Sequence, residues 1–208
     1  MRDDRTAPRV LLDVDGVIAD FVGAALSYLQ ERHGISIPRE QIQTMDMFES
    51  LPVEVSKLLE KEFDRPGYAL SIPAYPGAIQ GISLLDEIAD VYYVTAPYHS
   101  ATWAHDRIEW LAKQLGKSSK VMKNYVVSTK TKFLVAGDYL VDDHPLNVRD
   151  WQHHHQLGFG FVWHAPYNRE LELQLPRVDS WEELVRHVKF WEHPLALQRA
   201  LDGVSTKK

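Results

Sequence analysis

Four carboxylates, a threonine and two lysines stand out by residue type and spacing. Asp13 and Asp15 follow the apolar run Val10-Leu11-Leu12 and flank Val14 in the stretch VLLDVDGVIADF. Side chains at i and i+2 of an extended chain leave it on the same side, so these two charges share a face. That is costly unless something neutralises them, and a hard cation such as magnesium, which prefers oxygen ligands, would do so. The plain alternative is a solvated loop after a strand. Asp142 and Asp143 pose the same question after the apolar run Tyr139 to Val141. Adjacent strand residues point to opposite faces. One of this pair is therefore expected to ligate the metal while the other orients lysine, water or backbone.

Thr95 closes a second apolar run, VYYV. Its hydroxyl and the backbone N–H groups beside it, that of Ala96 included, could donate to a phosphoryl oxygen, although a lone Thr at a strand end is more often a cap or turn residue. Lys130 and Lys132 offer the cations that phosphoryl transfer needs, both around the oxygens and between a carboxylate and an anionic ester. Either lysine alone reads as a solvated surface residue.

The intervening pattern predicts the elements that must position these groups. Strands are expected at Val10–Val14, Val91–Val94, Tyr139–Val141 and Phe159–Trp163, with a short one around Val121, Val126 and Val127. Helical spacing marks Phe21–His33, Pro52–Phe63, Ala78–Ala89, Ser100–Leu115 and Trp181–Phe190. Strands separated by helices predict an α/β fold with a doubly wound parallel sheet, in which ligands bind beyond the carboxyl ends of the strands. Each polar residue singled out falls at such an end or in a loop on the same side. Residues 20–74 break the rhythm and read as a small helical cap inserted after the first strand, over a core of 1–19 and 75–208. Met45, Met47, Phe48, Phe63 and Tyr68 are candidates for its inner surface, or simply for its core. Asp138 reads as a turn residue, and His153, His154 and His155 as a solvated loop rather than a zinc site. Residues 1–8 and 202–208 read as loose ends.

Composition narrows the function classes. The 208 residues include 45% hydrophobic, 25% charged and 11% aromatic side chains, an ordinary globular balance with room for a sizeable core. With 29 acidic against 23 basic residues and a net charge of -6, a nucleic-acid polymer is a poor partner. A small anionic substrate is not excluded, because local charge at a site can oppose the global sign. There is no cysteine, which rules out disulfides, thiolate metal sites and a cysteine nucleophile. No apolar run reaches membrane-span length and the start lacks a signal-peptide centre, so a cytoplasmic protein is expected.

DVDGVIADF resembles the first motif of the haloacid dehalogenase-like hydrolases, and VTAP, KFLVAGDYLVDD and their order extend the resemblance from residue 10 to about 150. AYPGA, RIEWLAKQLG and GDYLVDDHP are most similar to the 5'(3')-deoxyribonucleotidase family within that superfamily. The resemblance implies Asp13 as nucleophile and Asp15 as acid/base. It implies Thr95, Ala96 and Lys132 around the phosphate, with Lys130 at the rim. Magnesium would be held by Asp13, the backbone carbonyl of Asp15 and Asp143, with Asp142 orienting or substituting. The implied activity is a magnesium-dependent phosphatase with an aspartyl-phosphate intermediate, acting on a nucleoside monophosphate. Thr95-Ala96 stands where relatives often have Thr-Ser, and the cap does not clearly reproduce the family's aromatic base pocket. A sugar phosphate or other non-nucleotide ester, a non-catalytic module on the same scaffold and a homodimer all stay open at this point.

Overall fold

The computed structural model describes residues 7–119, 122–128, 130–169 and 174–190. The expected loose ends over 1–6 and 202–208, and the strand role of Val121, lie outside them. Among the described residues six strands form one parallel sheet: β1 (Arg9–Leu12), β2 (Asp90–Thr95), β3 (Tyr125–Val127), β4 (Tyr139–Asp142), β5 (Phe159–Trp163) and β6 (Arg177–Val178). Their spatial order is β3-β2-β1-β4-β5-β6. The order reverses between β1 and β4, and there the crevice beyond the strand ends opens.

Burial on both faces explains the near-continuous apolar strands. Val10 and Leu12 of β1 join a large core on one face, whereas Leu11 packs on the other face with Val94, Leu140 and Trp151. Leu12 lies opposite Val141 in register, and Asp13 N–H still donates to Val141 C=O at 2.9 Å. That last rung fixes where β1 stops and its carboxylates begin.

After β1 the chain leaves the sheet at Ala19 and returns at Ala74, and these two residues pair antiparallel. Asp20 N–H donates to Pro73 C=O and Tyr75 N–H to Ile18 C=O, each at 2.8 Å. Between the two crossings lie α1 (Phe21–His33), α2 (Val53–Phe63) and the single turn α3 (Tyr68–Ser71). Asp20 caps α1 by accepting from Gly23 N–H, and Gly34 ends it in the left-handed conformation. The helix buries Val22, Ala25 and Leu29, one stripe at helical spacing.

The remaining helices are α4 (Ala78–Asp86), α5 (Trp103–Gln114), α6 (Pro145–His154) and α7 (Trp181–Lys189). One expectation changes. The histidine run is not a solvated loop: His153 and His154 form the last turn of α6, and His155 stacks on Trp151 with ring centroids 4.5 Å apart. Pro145 at the first turn and His144 as cap start that helix, a signal easily masked by its polar composition. The apolar run Phe133 to Ala136 forms no strand; Lys132–Leu134 is a 3-10 turn that leaves Leu134 exposed.

α4 and α7 pack through Gly81, where an added Cβ would sit 2.5 Å from the Trp181 ring. Alanine would gain about 1 kcal/mol of helix propensity, but overpacking a tight contact costs about 1–3 kcal/mol. Gly81→Ala is therefore expected to lower the urea midpoint, and an unchanged or raised midpoint would show that the interface yields freely.

Candidate active site

β1 and β4 end side by side, so the backbone alone gathers the carboxylates that the sequence separates by well over a hundred positions. Lys132, delivered by the 3-10 turn before β4, sits between them. Its Nζ is 2.7 Å from Asp13 Oδ2 and 2.7 Å from Asp142 Oδ2, and it is 2% exposed. Asp13 Oδ1 also accepts the Val14 N–H at 2.7 Å. Asp142 has both oxygens occupied by protein donors: His144 N–H and Asn147 Nδ2 on Oδ1, and Lys132 with Asn147 again on Oδ2. Asp143 Oδ2 accepts the buried Tyr167 hydroxyl at 2.6 Å, while Asn168 holds the Asp143 carbonyl at 2.7 Å.

Electrostatics here is unbalanced. Asp13, Asp142 and Asp143 each offer an oxygen within 4.8 Å of the others, against the Lys132 ammonium as the cluster's one ion-pair partner among the described residues. Burial pushes the Asp13 carboxyl well above the usual carboxylate range, with Lys132 opposing and Asp142 and Asp143 adding to the rise. Burial and then Asp142 push Asp143 up to about 7. Burial alone would lower Lys132, but Asp13 and Asp142 hold it above its ordinary value. An all-oxygen, buried and under-neutralised donor set fits a hard divalent cation such as magnesium.

Gly16 makes this proximity possible. Its φ is +87°, and a Cβ there would lie 2.0 Å from Asp143 Oδ2 and 2.9 Å from the Tyr167 hydroxyl. Only glycine both adopts that conformation and leaves the room.

The other expected residues separate. Thr95, at the end of β2, is fully buried, and its hydroxyl has no hydrogen-bond partner among the described residues. Such an orphan at a strand end is a donor waiting for an oxygen. Ala96 follows it and is exposed. Lys130 is also exposed and is not part of the buried ion-pair network that holds Lys132. Asp15 takes a different partner altogether: Arg107 Nη2 donates to Oδ1 at 2.5 Å and Trp103 Nε1 to Oδ2 at 3.3 Å. Asp138 accepts the Arg9 N–H at 2.7 Å, away from the cluster's ligand set.

Arg107, Asn147, Tyr167 and Asn168 were not legible as site residues. Arg107 had one usable signal, its place four residues after Trp103 and three before Trp110 on the buried stripe of α5. Nothing local marks the other three. Above the carboxylates a cleft of 890 Å3 opens, lined by Phe21, Met45, Met47, Phe48 and Tyr98 with Gln43, Thr44, Asp46, Glu49, Glu60, His99, His144, Leu146 and Tyr167. A smaller pocket of 110 Å3 shares Phe21, Met45, Met47 and Tyr167 with it and reaches Asp15, Gly16 and Asp143. Of the aromatic and thioether candidates, Met45, Met47 and Phe48 line the cleft, whereas Phe63 and Tyr68 are buried in the core.

Removing the one cation should expose the cost of this arrangement. Lys132→Met leaves two buried carboxylates without their counter-charge, and breaking such a pair costs about 3–5 kcal/mol. Denaturant unfolding is expected to show a loss of that order, partly recovered when Asp142→Asn is added. No recovery in the double variant would mean that the lysine contributes packing rather than charge.

Comparison with known proteins agrees with this geometry. A cytosolic-type 5'(3')-deoxyribonucleotidase of Homo sapiens is 25% identical over 198 residues, covering 85% of this chain and 92% of that one. A candidate 5'(3')-deoxyribonucleotidase of Bordetella pertussis is 28% identical over 186 residues, covering 85% and 94%. In fold, the chain is similar to a candidate haloacid dehalogenase-type hydrolase of Bacillus subtilis solved bound to magnesium, with a TM-score of 0.57, 18% identity and coverage of 89% and 100%. The family described as "5' nucleotidase, deoxy (Pyrimidine), cytosolic type C protein" matches residues 7–190. That match spans the sheet, the carboxylate cluster and the helices beside it, and the chain belongs to this family.

Proposed function

We propose that the chain is a magnesium-dependent phosphomonoesterase that works through an aspartyl phosphate on Asp13, with a nucleoside monophosphate as substrate. The observation that carries this reading is Lys132 bridging Asp13 and Asp142 beside Asp143, at the crevice where the strand order reverses. Asp13 attacks phosphorus, and the bond to the ester oxygen breaks as Asp15 gives that oxygen a proton. Asp15 then takes a proton from water, whose oxygen displaces Asp13 and releases orthophosphate. Lys132 screens the approach of an anionic ester to an anionic nucleophile, and the Thr95 hydroxyl with the Ala96 N–H receives phosphoryl oxygens. Lys130 meets phosphate from the rim as it arrives.

Magnesium supplies neutralisation of the carboxylates and the phosphoryl oxygens. Asp13, Asp143 and the Asp15 carbonyl would hold it. Asp142, with both oxygens already engaged, orients Lys132. The helical segment 20–74 acts as the cap that excludes bulk water and selects the leaving group. The cleft supports a nucleoside because its walls are flat or soft side chains, and a ligand cavity of several hundred Å3 suits that size. Among the described residues its lining includes three carboxylates and neither lysine nor arginine, which favours a leaving group without further negative charge. The cytosolic type in the family description supports action in the cytoplasm. No described helix is long and apolar enough to cross a membrane.

A phosphate-release screen across nucleotides and sugar phosphates tests the substrate. Nucleoside monophosphates should turn over best with magnesium and not after chelation; a sugar phosphate turned over faster would replace the nucleotide reading. Asp13→Asn should abolish turnover while the protein stays folded. The metal is tested by thermal unfolding. Magnesium should raise the Tm of the wild type, since it binds the folded state. Asp143→Asn should remove that shift and, without metal, raise the Tm by about 2–4 °C for each kcal/mol of repulsion relieved. A magnesium shift that survives in Asp143→Asn would exclude Asp143 as a ligand.

A further inference from the structure

Two carboxylates two residues apart are asked to do opposite jobs, and the fold gives them different counter-cations on different elements. Asp13 has Lys132 from the turn before β4; Asp15 has Arg107 from α5. Arg107 is fully buried, which an arginine tolerates only with partners for its charge. Those partners are unusually specific. Nη2 donates to Asp15 Oδ1, and Nη1 donates to the Ala69 carbonyl of α3 at 2.8 Å. The guanidinium carbon lies 5.6 Å from the Trp103 ring centroid and 5.0 Å from that of Trp110. Stacking on two indoles and anchoring to a backbone carbonyl leave the guanidinium little freedom.

The same face of α5 is fastened to the segment around α3 on either side of this contact. Asp106 accepts the Gly67 N–H at 2.9 Å, and Trp110 Nε1 donates to the Ile72 carbonyl at 2.7 Å. Trp103, Asp106, Arg107 and Trp110 are the i, i+3, i+4 and i+7 positions of one helical face. A carboxylate left to itself beside Lys132 and a hard cation would turn towards them. Asp15 is instead drawn to α5, and its side chain lines the small pocket between the carboxylates and the larger cleft.

We propose that Arg107 is a positioning residue for Asp15. It holds Oδ1 and leaves Oδ2, whose bond to Trp103 is long at 3.3 Å, as the oxygen that carries and passes the proton. Through the Ala69 carbonyl it also makes the pose of Asp15 depend on how the α3 segment is seated over the site. This role rests on the acid/base reading of Asp15, and the test separates the two.

Steady-state kinetics on a nucleoside monophosphate and on p-nitrophenyl phosphate, in the wild type, Asp15→Asn, Arg107→Met and Arg107→Lys, decides it. An alkoxide leaving group needs the proton and a nitrophenolate hardly does. Misplacing a reacting group can cost about 100-fold, so Arg107→Met should lose kcat on the nucleotide by about that factor and on the aryl ester by less than about tenfold. KM should move little, and Arg107→Lys, which keeps the charge, should recover part of the difference. Equal losses on both esters in Arg107→Met, with Asp15→Asn still separating them, would overturn the positioning role and leave the acid/base reading intact. If Asp15→Asn separates them no better than the wild type, both readings fall together. Should thermal unfolding show that Arg107→Met does not fold, Arg107→Lys reads the same ratio, and a wild-type ratio there overturns the proposal.

Discussion

Negative charge packed out of water is the constraint on which the rest of this structure depends. Parallel strands β1 and β4 end together, and each ends in carboxylates. Burying one such group without a partner costs several kcal/mol. Lys132 meets Asp13 and Asp142, and Asn147, Tyr167, His144 N–H and Val14 N–H take up much of what is left. The compensation is incomplete, as the raised carboxyls of Asp13 and Asp143 show. An under-neutralised oxygen cluster of this kind fits a hard divalent cation.

The second constraint is separation. Asp13 and Asp15 leave the same strand end, yet the fold assigns one to the sheet and the other to α5. Gly16 turns the chain immediately after them and lets Asp143 approach where a Cβ would block it. The chain then crosses to the helical segment through the Ala19–Ala74 pairing, so the same short stretch carries both carboxylates and the start of that segment. Packing on α5 through Gly67, Ala69 and Ile72 returns that segment to the core side. The carboxylates and the helical segment are therefore joined by covalent continuity at one end and by a buried arginine at the other.

The cleft divides its labour by side-chain type. Thr95 and the carboxylates lie at the strand ends, where backbone geometry is rigid. Met45, Met47 and Phe48 line the cleft away from the sheet, the last two on the 3-10 turn Met47–Ser50. Membership of a deoxyribonucleotidase family is compatible with that division between a fixed polar end and an apolar cleft.

Apolar runs bounded by turn residues were enough to place β1, β2, β4 and β5, and the amphipathic stripes of α1, α2 and α7 were readable for the same reason: period and burial are local properties. The carboxylate pairs and Thr95 were legible because a charged or hydroxyl side chain directly after a buried strand is a conspicuous break in pattern. α6 was missed because its sequence, PLNVRDWQHH, is polar enough to look like loop, and its burial rests on only Pro145, Val148 and Trp151. Partners were the harder matter. That Lys132 rather than Lys130 meets Asp13, that Asp142 is saturated while Asp143 faces Tyr167, and that Asp15 belongs to Arg107 are facts about residues distant in sequence. Sequence determined which side chains carry charge and roughly where the strands end. Which charge meets which was decided only when the parallel sheet set β1 beside β4 and packing set α5 against the α3 segment with Arg107 on Asp15, because Coulomb interactions act through space and not along the chain.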